Sequence, residues 1–500
     1  MPAQPARRLL LGGLGAGAVL AAAGCSTDDK PGTSDTPKPS GSPFTPRVAV
    51  RADGTVALLP NLGDPAALVS SLFATANVAV LADPTGAQSA TAVATAKALS
   101  VPVLAPGPQL AGQLAALEVR TLISYAATAP SVPSTVEVIA GASTPPALRG
   151  YTPAPAEDGS AYLLATAAPV PDAVTATNLA IAGVRTIVLT APDPRAVDEA
   201  YTTLNGRPDA PVIGVGADLG PADRFAQRVR TARFAEQLPG GGLLPFPDRM
   251  MVALYGHPES AALGMLGEQP AKAAVARVTK LAKEYAALTT TRVVPAFELI
   301  ATVASASAGS DNDYSRETAM DILEPWVDEA IAGGCYVVLD LQPGRTDFLT
   351  QARRYEKLFR KPQVGIALDP EWRLGPKEKH LVQIGHVAID EVNEVAQWLA
   401  GVVREYDLPP KVFTLHQFQL QMIRGRERLR TDLDELQFMV HVDGSGGQGA
   451  KRATWGVMRE GLPKEVFLGW KNFKDEDFPM LTVAQTMAQV KPTPNFVSYQ

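Results

Sequence analysis

Two hydrophobic rhythms follow one another along the chain. Between residues 47 and 236, short apolar runs at 77–82, 101–105, 120–124, 186–190 and 212–216 alternate with Ala-rich stretches at 87–99 and 110–116. The runs have the length of strands and the stretches that of helices. Strands separated by helices predict a parallel sheet. From Met250 the rhythm becomes more regular, with eight apolar runs at 250–255, 292–297, 336–340, 364–369, 412–416, 436–441, 466–470 and 495–499. Helical stretches at 272–288, 316–332, 348–359, 389–406 and 482–490 fall between them, and Asp390 and Glu391 suit the positive end of the 389–406 dipole. Eight β/α units in about 250 residues have the size and order of a (β/α)8 barrel. The chain stops on the eighth strand, and the stretch 221–236 is available to cover the place of a closing helix. The expected fold class is therefore α/β: an N-terminal parallel α/β sheet domain over 47–236, followed by a C-terminal (β/α)8 TIM-like barrel over 245–500.

Side chains alternate faces along a strand, so each barrel run divides into an inner and an outer set. In run 364–369, Val364, Ile366 and Leu368 face outward, leaving Gly365, Ala367, Asp369 and Glu371 inside. The same parity puts Tyr255 and His257 inside on the first strand, Glu298 on the second, and Asp340 and Gln342 on the third. It adds His416 on the fifth, His441 and Asp443 on the sixth, and Trp470 and Asn472 on the seventh. All lie at carboxyl ends, the face on which barrels of this kind carry active sites. Cys335 begins the third strand on the outer side and reads as a packing thiol.

The amino terminus changes the picture of where the chain works. Arg7 and Arg8 precede an apolar Gly/Ala-rich run from residue 9 to 23 that ends Ala22-Ala23-Gly24-Cys25, which predicts an export signal over 1–24. The run is shorter than the roughly 20 residues of a spanning helix. Its small-small-Cys ending resembles a bacterial lipobox, with Ala22 in place of the usual Leu. That resemblance implies lipidation of Cys25 and a membrane partner held through it. Residues 25–46, rich in Ser, Thr, Pro, Asp and Lys, lack the apolar surface to order themselves and read as a tether. The expected location is the extracytoplasmic face of a cell membrane.

Composition narrows the partners. With 45 basic and 51 acidic residues, the formal charge of −6 offers no basic footprint, so no nucleic-acid partner is expected. Two cysteines cannot build a disulfide framework. Gly214-Val-Gly216 lacks the third glycine of a dinucleotide fingerprint, and no cofactor is expected. Every Trp and every His lies in the second half. Polar chemistry is concentrated there.

Three chemistries fit that half. In the first, the fourth strand ends Asp369-Pro370-Glu371-Trp372, two carboxylates on one face with Asp340 on the neighbouring strand, a pairing able to divide proton donor from nucleophile or base. The Asp-x-Glu at this place resembles the Chalaropsis-type muramidases and, more distantly, chitinase-like barrels. The first strand lacks the muramidase-type Asp, and Gly365 stands where the chitinase motif has an earlier Asp. The resemblance implies Glu371 as general acid, supported by Asp369, Asp340 and Asp443, with Trp372 and Trp470 as platforms under sugar rings. Tyr255, His257, Glu298, Gln342, His416, His441 and Asn472 complete the expected substrate-binding set. This leading reading needs no metal. The second chemistry is a hydrolytic Zn²⁺ site from His257, His416 and His441 with Asp340 or Asp443, without the His-x-His that amidohydrolase barrels show on their first strand. The third is a binding module that keeps a glycan groove without turnover.

Loops at the same rim add further candidates: the long polar stretch 307–313 as a lid, Asp443-Gly444-Ser445-Gly446-Gly447 as an anion cradle or plain connection, Arg345 and Arg373 as partners of an acidic group or of a rim carboxylate, and 424–430 as a solvated helix face. In the N-terminal half, "VAVLAD", "VPVLAP" and "VEVIAG" resemble cell wall-binding repeat 2, which implies contact with wall or envelope glycan. The segments "LDLQPGRTDF", "ALDPEWR", "HQF", "HVDG" and "GWKNF" resemble a family of actinobacterial cell-envelope lipoproteins with no assigned reaction. These resemblances imply location and architecture.

Overall fold

The computed structural model describes residues 45–500. The export signal 1–24, Cys25 and nearly all of the tether 25–46 lie outside the described residues. Two four-stranded parallel sheets occupy the N-terminal part. One contains Val103–Leu104, Val78–Leu81, Thr121–Ser124 and Glu137–Ala140 in that spatial order, and the other Val56–Leu59, Val212–Val215, Ala161–Ala165 and Val184–Val188. One continuous sheet would satisfy the sequence pattern equally well. The first sheet ends at Val103 because the buried Asn178 amide takes the place of a further strand, accepting from Val103 N at 2.8 Å and donating to Val103 O at 3.0 Å. An edge strand so satisfied offers nothing to pair with.

The second half forms a closed barrel of eight parallel strands: β1 Arg249–Gly256, β2 Arg292–Ala304, β3 Tyr336–Leu341, β4 Val364–Leu368, β5 Lys411–His416, β6 Leu436–Val442, β7 Phe467–Asn472 and β8 Phe496–Tyr499. Each pairs with the next, and β8 pairs with β1 to close the ring. With helices between strands, the arrangement is consistent with a TIM-like barrel. All eight expected runs are strands. The outward residues Val364, Ile366 and Leu368 of β4 pack with Val337, Leu339, Phe413 and Leu415 against the helices, and Cys335 belongs to the same layer. Inside, Met251, Ala253, Ala296, Tyr336, Val338, Ala367, Val412, Met439 and Phe496 fill the lower barrel, and Leu238 and Phe246 plug its base. Gly365 leaves room for this filling, since a Cβ there would stand 2.5 Å from Val412 O and 3.0 Å from the Tyr336 hydroxyl.

Three local differences bear on the site. β2 runs seven residues past its expected end at 297, because Thr302–Ala304 pair antiparallel with Ser315–Glu317. Glu298 is consequently mid-strand, deep in the barrel, rather than at a carboxyl end. The helix expected from 316 begins only at Met320. The helix Ala222–Phe234 does not stand in the closing position; its Arg228 and Arg230 reach Asp434 at 2.7 Å and Asp407 at 2.6 Å, near the amino ends of β5 and β6. Among the described residues, no helix is long and apolar enough to cross a membrane.

Outer-layer packing carries the barrel's stability, and truncation there opens a cavity. Ile366→Ala, at a fully buried position, is expected to cost about 2–5 kcal/mol, whereas Val382→Ala on the exposed rim stays within about 0.5 kcal/mol. Urea unfolding of both variants with an unchanged denaturant slope checks the contrast.

Candidate active site at the barrel mouth

Above the apolar filling, the inward positions turn polar. Tyr255, Glu298, Asp340, Asp369, His416 and His441 are all buried at the carboxyl half of the barrel, with Asp443 directly after β6. Strand register sets them side by side: Tyr255 pairs with Glu298, and His416 with His441. The hydrogen bonds then link strands around the ring. Tyr255 Oη donates to Asp340 Oδ2 at 2.8 Å and accepts from Gln342 Nε2 at 3.2 Å. His416 lies between Glu298 Oε1, 3.0 Å from Nε2, and Asp443 Oδ2, 2.9 Å from Nδ1. His441 Nδ1 is 3.0 Å from the same Glu298 oxygen, and its Nε2 is 3.1 Å from Ser498 Oγ.

So many acids in one buried space cannot share one protonation state. Burial pushes the Glu298 carboxyl up, but His441 and His416 outweigh it and hold Glu298 well below the usual range. Burial likewise disfavours the His416 cation, yet Glu298, Asp340 and the bond to Asp443 raise it well above an ordinary histidine. Asp443 is also lowered: the His416 bond and charge overcome burial. On the other side of the mouth, burial raises Asp369 well above the carboxylate range, with Asp340, Asp443 and Glu371 adding to it against His416. Burial and the Asp443 charge bring Glu371 to about 7, with Lys471 and His416 opposing. The mouth thus pairs ionised Asp443 with acids that keep their protons near neutrality, the kind of division acid–base catalysis uses.

Glu371 is the acid that reaches open space. It lines a cavity of about 370 Å³ together with Trp372, His380, Leu381, Val382 and Ile384. The Asp369 carboxylate holds the turn beneath by accepting from Glu371 N at 3.3 Å. Trp372 meets the His380 ring edge-on at 5.3 Å, and His380 Nε2 bonds Tyr314 O at 2.9 Å. Another opening, between the Asp193–Arg228 region and the start of β6, lies at the opposite end of the barrel, away from these groups.

The structure brings together Tyr255, Glu298, Asp340, Gln342, Asp369, Glu371, His416, His441 and Asp443. Several expected roles change with their surroundings. Glu298, His416 and His441 are covered completely and lie beneath the mouth. His257 stands apart from the other histidines, with Nε2 2.8 Å from Thr318 Oγ1, and the three-histidine set does not assemble. Trp470 and Asn472 face the helices: Trp470 packs on Trp455 at 5.6 Å, and Asn472 Oδ1 accepts from the Trp470 indole at 2.8 Å. The reason is the fit of β7, where Gly469 faces inward against the His441 ring and leaves no space for a side chain. Lys471 then points inward, its Nζ 3.5 Å from the Tyr255 ring centroid. Sequence reasoning puts Lys471 in a rim loop, 471–477, rather than inside the barrel, and misses Ser498. The alternation Phe467, Gly469, Lys471, anchored on the glycine, carries the signal for the first.

The rim loops are mostly tied down. Arg373 pairs with Glu391 at 3.0 Å, and Arg345 stacks on Tyr314 at 4.5 Å. Buried Lys451 bonds Asp477 at 2.6 Å, and Asp477 Oδ1 accepts from Gly446 N at 3.2 Å, so the glycine loop after β6 is braced from the loop after β7. Asp313, in the expected lid, accepts from Ser315 N at 2.8 Å and Thr346 Oγ1 at 3.0 Å. In the 424–430 run Arg424, Arg428 and Arg430 are exposed, whereas Arg426 is buried and donates to Gln417 and to the Met458 and Glu460 carbonyls.

No protein-family description and no curated protein matches the chain.

His416 links two buried carboxylates, so its loss strands both. The raised His416 pKa contributes stability that is complete below about pH 6.5 and declines as pH rises through the folded value; the depressed Glu298 contributes above about pH 4.3 and is lost as pH falls. The cost of His416→Ala, about 3–5 kcal/mol, is therefore expected to be greatest between about pH 4.3 and 6.5. Urea unfolding across pH 3–8 measures it.

Proposed function

We propose that the barrel is a glycoside hydrolase-like domain of an exported, lipid-anchored envelope protein, acting on peptidoglycan or another envelope polysaccharide. The observation that carries this reading is Glu371, an acid poised at about 7 on the wall of an open cavity beside Trp372, next to the ionised Asp443. A proton donor must hold its proton at working pH and still reach the leaving oxygen. Glu371 meets both needs. In this scheme it protonates the glycosidic oxygen as the bond to the anomeric carbon breaks, Asp443, held ionised by His416, stabilises positive charge developing on the sugar, and water adds to the anomeric carbon, its proton returning to the Glu371 carboxylate. Asp369 keeps the turn under Glu371 in place and remains protonated, while Asp340 orients Tyr255. Trp372 offers a face for a sugar ring.

Lipidation at Cys25, with residues 25–46 as tether, would hold the barrel at the extracytoplasmic face, and the 47–236 region, through its repeat-like strands, would contact the wall. A second reading, a non-catalytic glycan-binding or structural lipoprotein, is favoured by one specific feature: Asp340 and Asp369 are buried in the conformation described.

Turnover assays on peptidoglycan and envelope polysaccharides separate the two. Glu371→Gln is expected to lose about 10²–10⁴-fold in rate with glycan binding retained. Binding without turnover by the unsubstituted protein supports the second reading. Activity requires protonated Glu371, so the rate falls above about pH 7. Asp443→Asn removes a charge that raises Glu371, and the alkaline limb is expected to move to lower pH.

A further inference from the structure

We propose that Glu298, His416 and His441 together ligate one divalent transition-metal ion, of the zinc class, in the floor of the barrel mouth, with Asp340 beside them. The inference goes beyond the hydrolase reading and stands whether or not the barrel turns over a glycan.

Geometry is the first support. Glu298, His416 and His441 each present a ligand atom, and these atoms lie within 4.8 Å of one another. His416 Nε2 and His441 Nδ1 are each 3.0 Å from Glu298 Oε1, and Asp340 Oδ1 is 3.8 Å from His416 Nε2. Bonds of about 2.0–2.2 Å in a tetrahedron put ligand atoms about 3.4 Å apart, so each of the two 3.0 Å contacts to Glu298 opens by only a few tenths of an ångström to accommodate an ion.

The far side of each ligand is the second support. His416 Nδ1 is 2.9 Å from Asp443 Oδ2, His441 Nε2 is 3.1 Å from Ser498 Oγ, and Asp340 Oδ2 accepts from Tyr255 Oη at 2.8 Å. Metal-binding histidines are held this way, by a carboxylate or other acceptor on the remaining ring nitrogen. With the far-side protons donated outward and an incoming ion displacing the proton on His416 Nε2, both inward nitrogens present lone pairs to the Glu298 carboxylate. Three centres of negative density then face one another, which requires a cation or a proton between them.

Unpartnered atoms are the third. Glu298 Oε2 and Asp340 Oδ1 are buried and have no hydrogen-bond partner among the described residues. Leaving such atoms unmatched is costly, and a cation beside them offsets that cost. Two imidazoles with one carboxylate match zinc, iron or cobalt better than magnesium or calcium, which prefer oxygen alone. The set differs from the three-histidine site expected of the sequence: His257 is replaced by Glu298, which β2 carries into the barrel.

The test strips the purified full chain with a chelator, reloads it with Zn²⁺ or Co²⁺, removes excess ion, and measures metal content and the Co²⁺ absorption spectrum. About one equivalent per chain is expected, with the intense ligand-field bands of four- or five-coordinate Co²⁺. Glu371→Gln, outside the ligand set, is expected to retain the full equivalent. His441→Gln and Glu298→Gln are expected to lose at least ten-fold in affinity, and Asp443→Asn, which frees the His416 ring, about 10–100-fold. Each variant is first shown to unfold cooperatively. The unsubstituted protein needs no such control, and its failure to take up either ion would overturn the proposal and leave a proton in the cluster. Undiminished binding by the folded His441→Gln and Glu298→Gln variants would overturn it equally, by placing the ion elsewhere.

Discussion

The His416 imidazole, between Glu298 at 3.0 Å and Asp443 at 2.9 Å, is the contact on which the barrel mouth depends. A buried charge is tolerated only when an opposite charge and hydrogen bonds replace the water it lost. One ring here serves two carboxylates on two other segments, and a second ring, His441, shares the Glu298 oxygen. Because β2, β5 and β6 each contribute a member, the cluster also ties together strands that are not all neighbours in the ring. Movement of any one strand would expose a charge to an apolar surrounding.

Closure of the barrel creates this situation. Eight strands in a ring send every second side chain into a space without solvent, and the lower part is filled by Met251, Tyr336, Val412, Met439 and Phe496 over the Phe246 plug. Polar side chains are confined to the last inward positions, stacked on that filling. There they meet one another before they meet water. The result is graded: Glu298, His416 and His441 fully covered, Asp369 and Asp443 next, and Glu371 at the open cavity. Protonation follows the same gradient, since the cation at His416 serves its direct partners and leaves Asp369 and Glu371 to keep their protons. The metal proposed for the floor would act on the same gradient from below.

Much of this arrangement is legible in the alternation of apolar and polar residues alone. The eight runs are strands, and parity assigns the inner faces of β1, β3, β4, β5 and β6 correctly because one apolar face against helices makes the alternation unambiguous. Strand β7 is the exception. Its apolar residues Leu468 and Trp470 and its polar neighbours Lys471 and Asn472 allow either face, and the decision falls to Gly469, whose lack of a side chain is needed against the His441 ring on β6. The 13-residue length of β2 is hidden for a related reason: its extension is held by an antiparallel partner, Ser315–Glu317, that follows a long polar loop.

By itself, then, the sequence determined the strand order, the barrel's apolar layers and the identity of the acids at the carboxyl ends, because these follow from local periodicity. Only the tertiary structure decided which of those groups meet. By strand parity His257 is as good a candidate as His416, yet its ring bonds Thr318 and the Glu259 amide, while Glu298, expected at a rim, lies between two imidazoles. The physical reason is that protonation, charge pairing and access are properties of neighbours across strands. Ring closure and register choose those neighbours, and no spacing within a single strand records them.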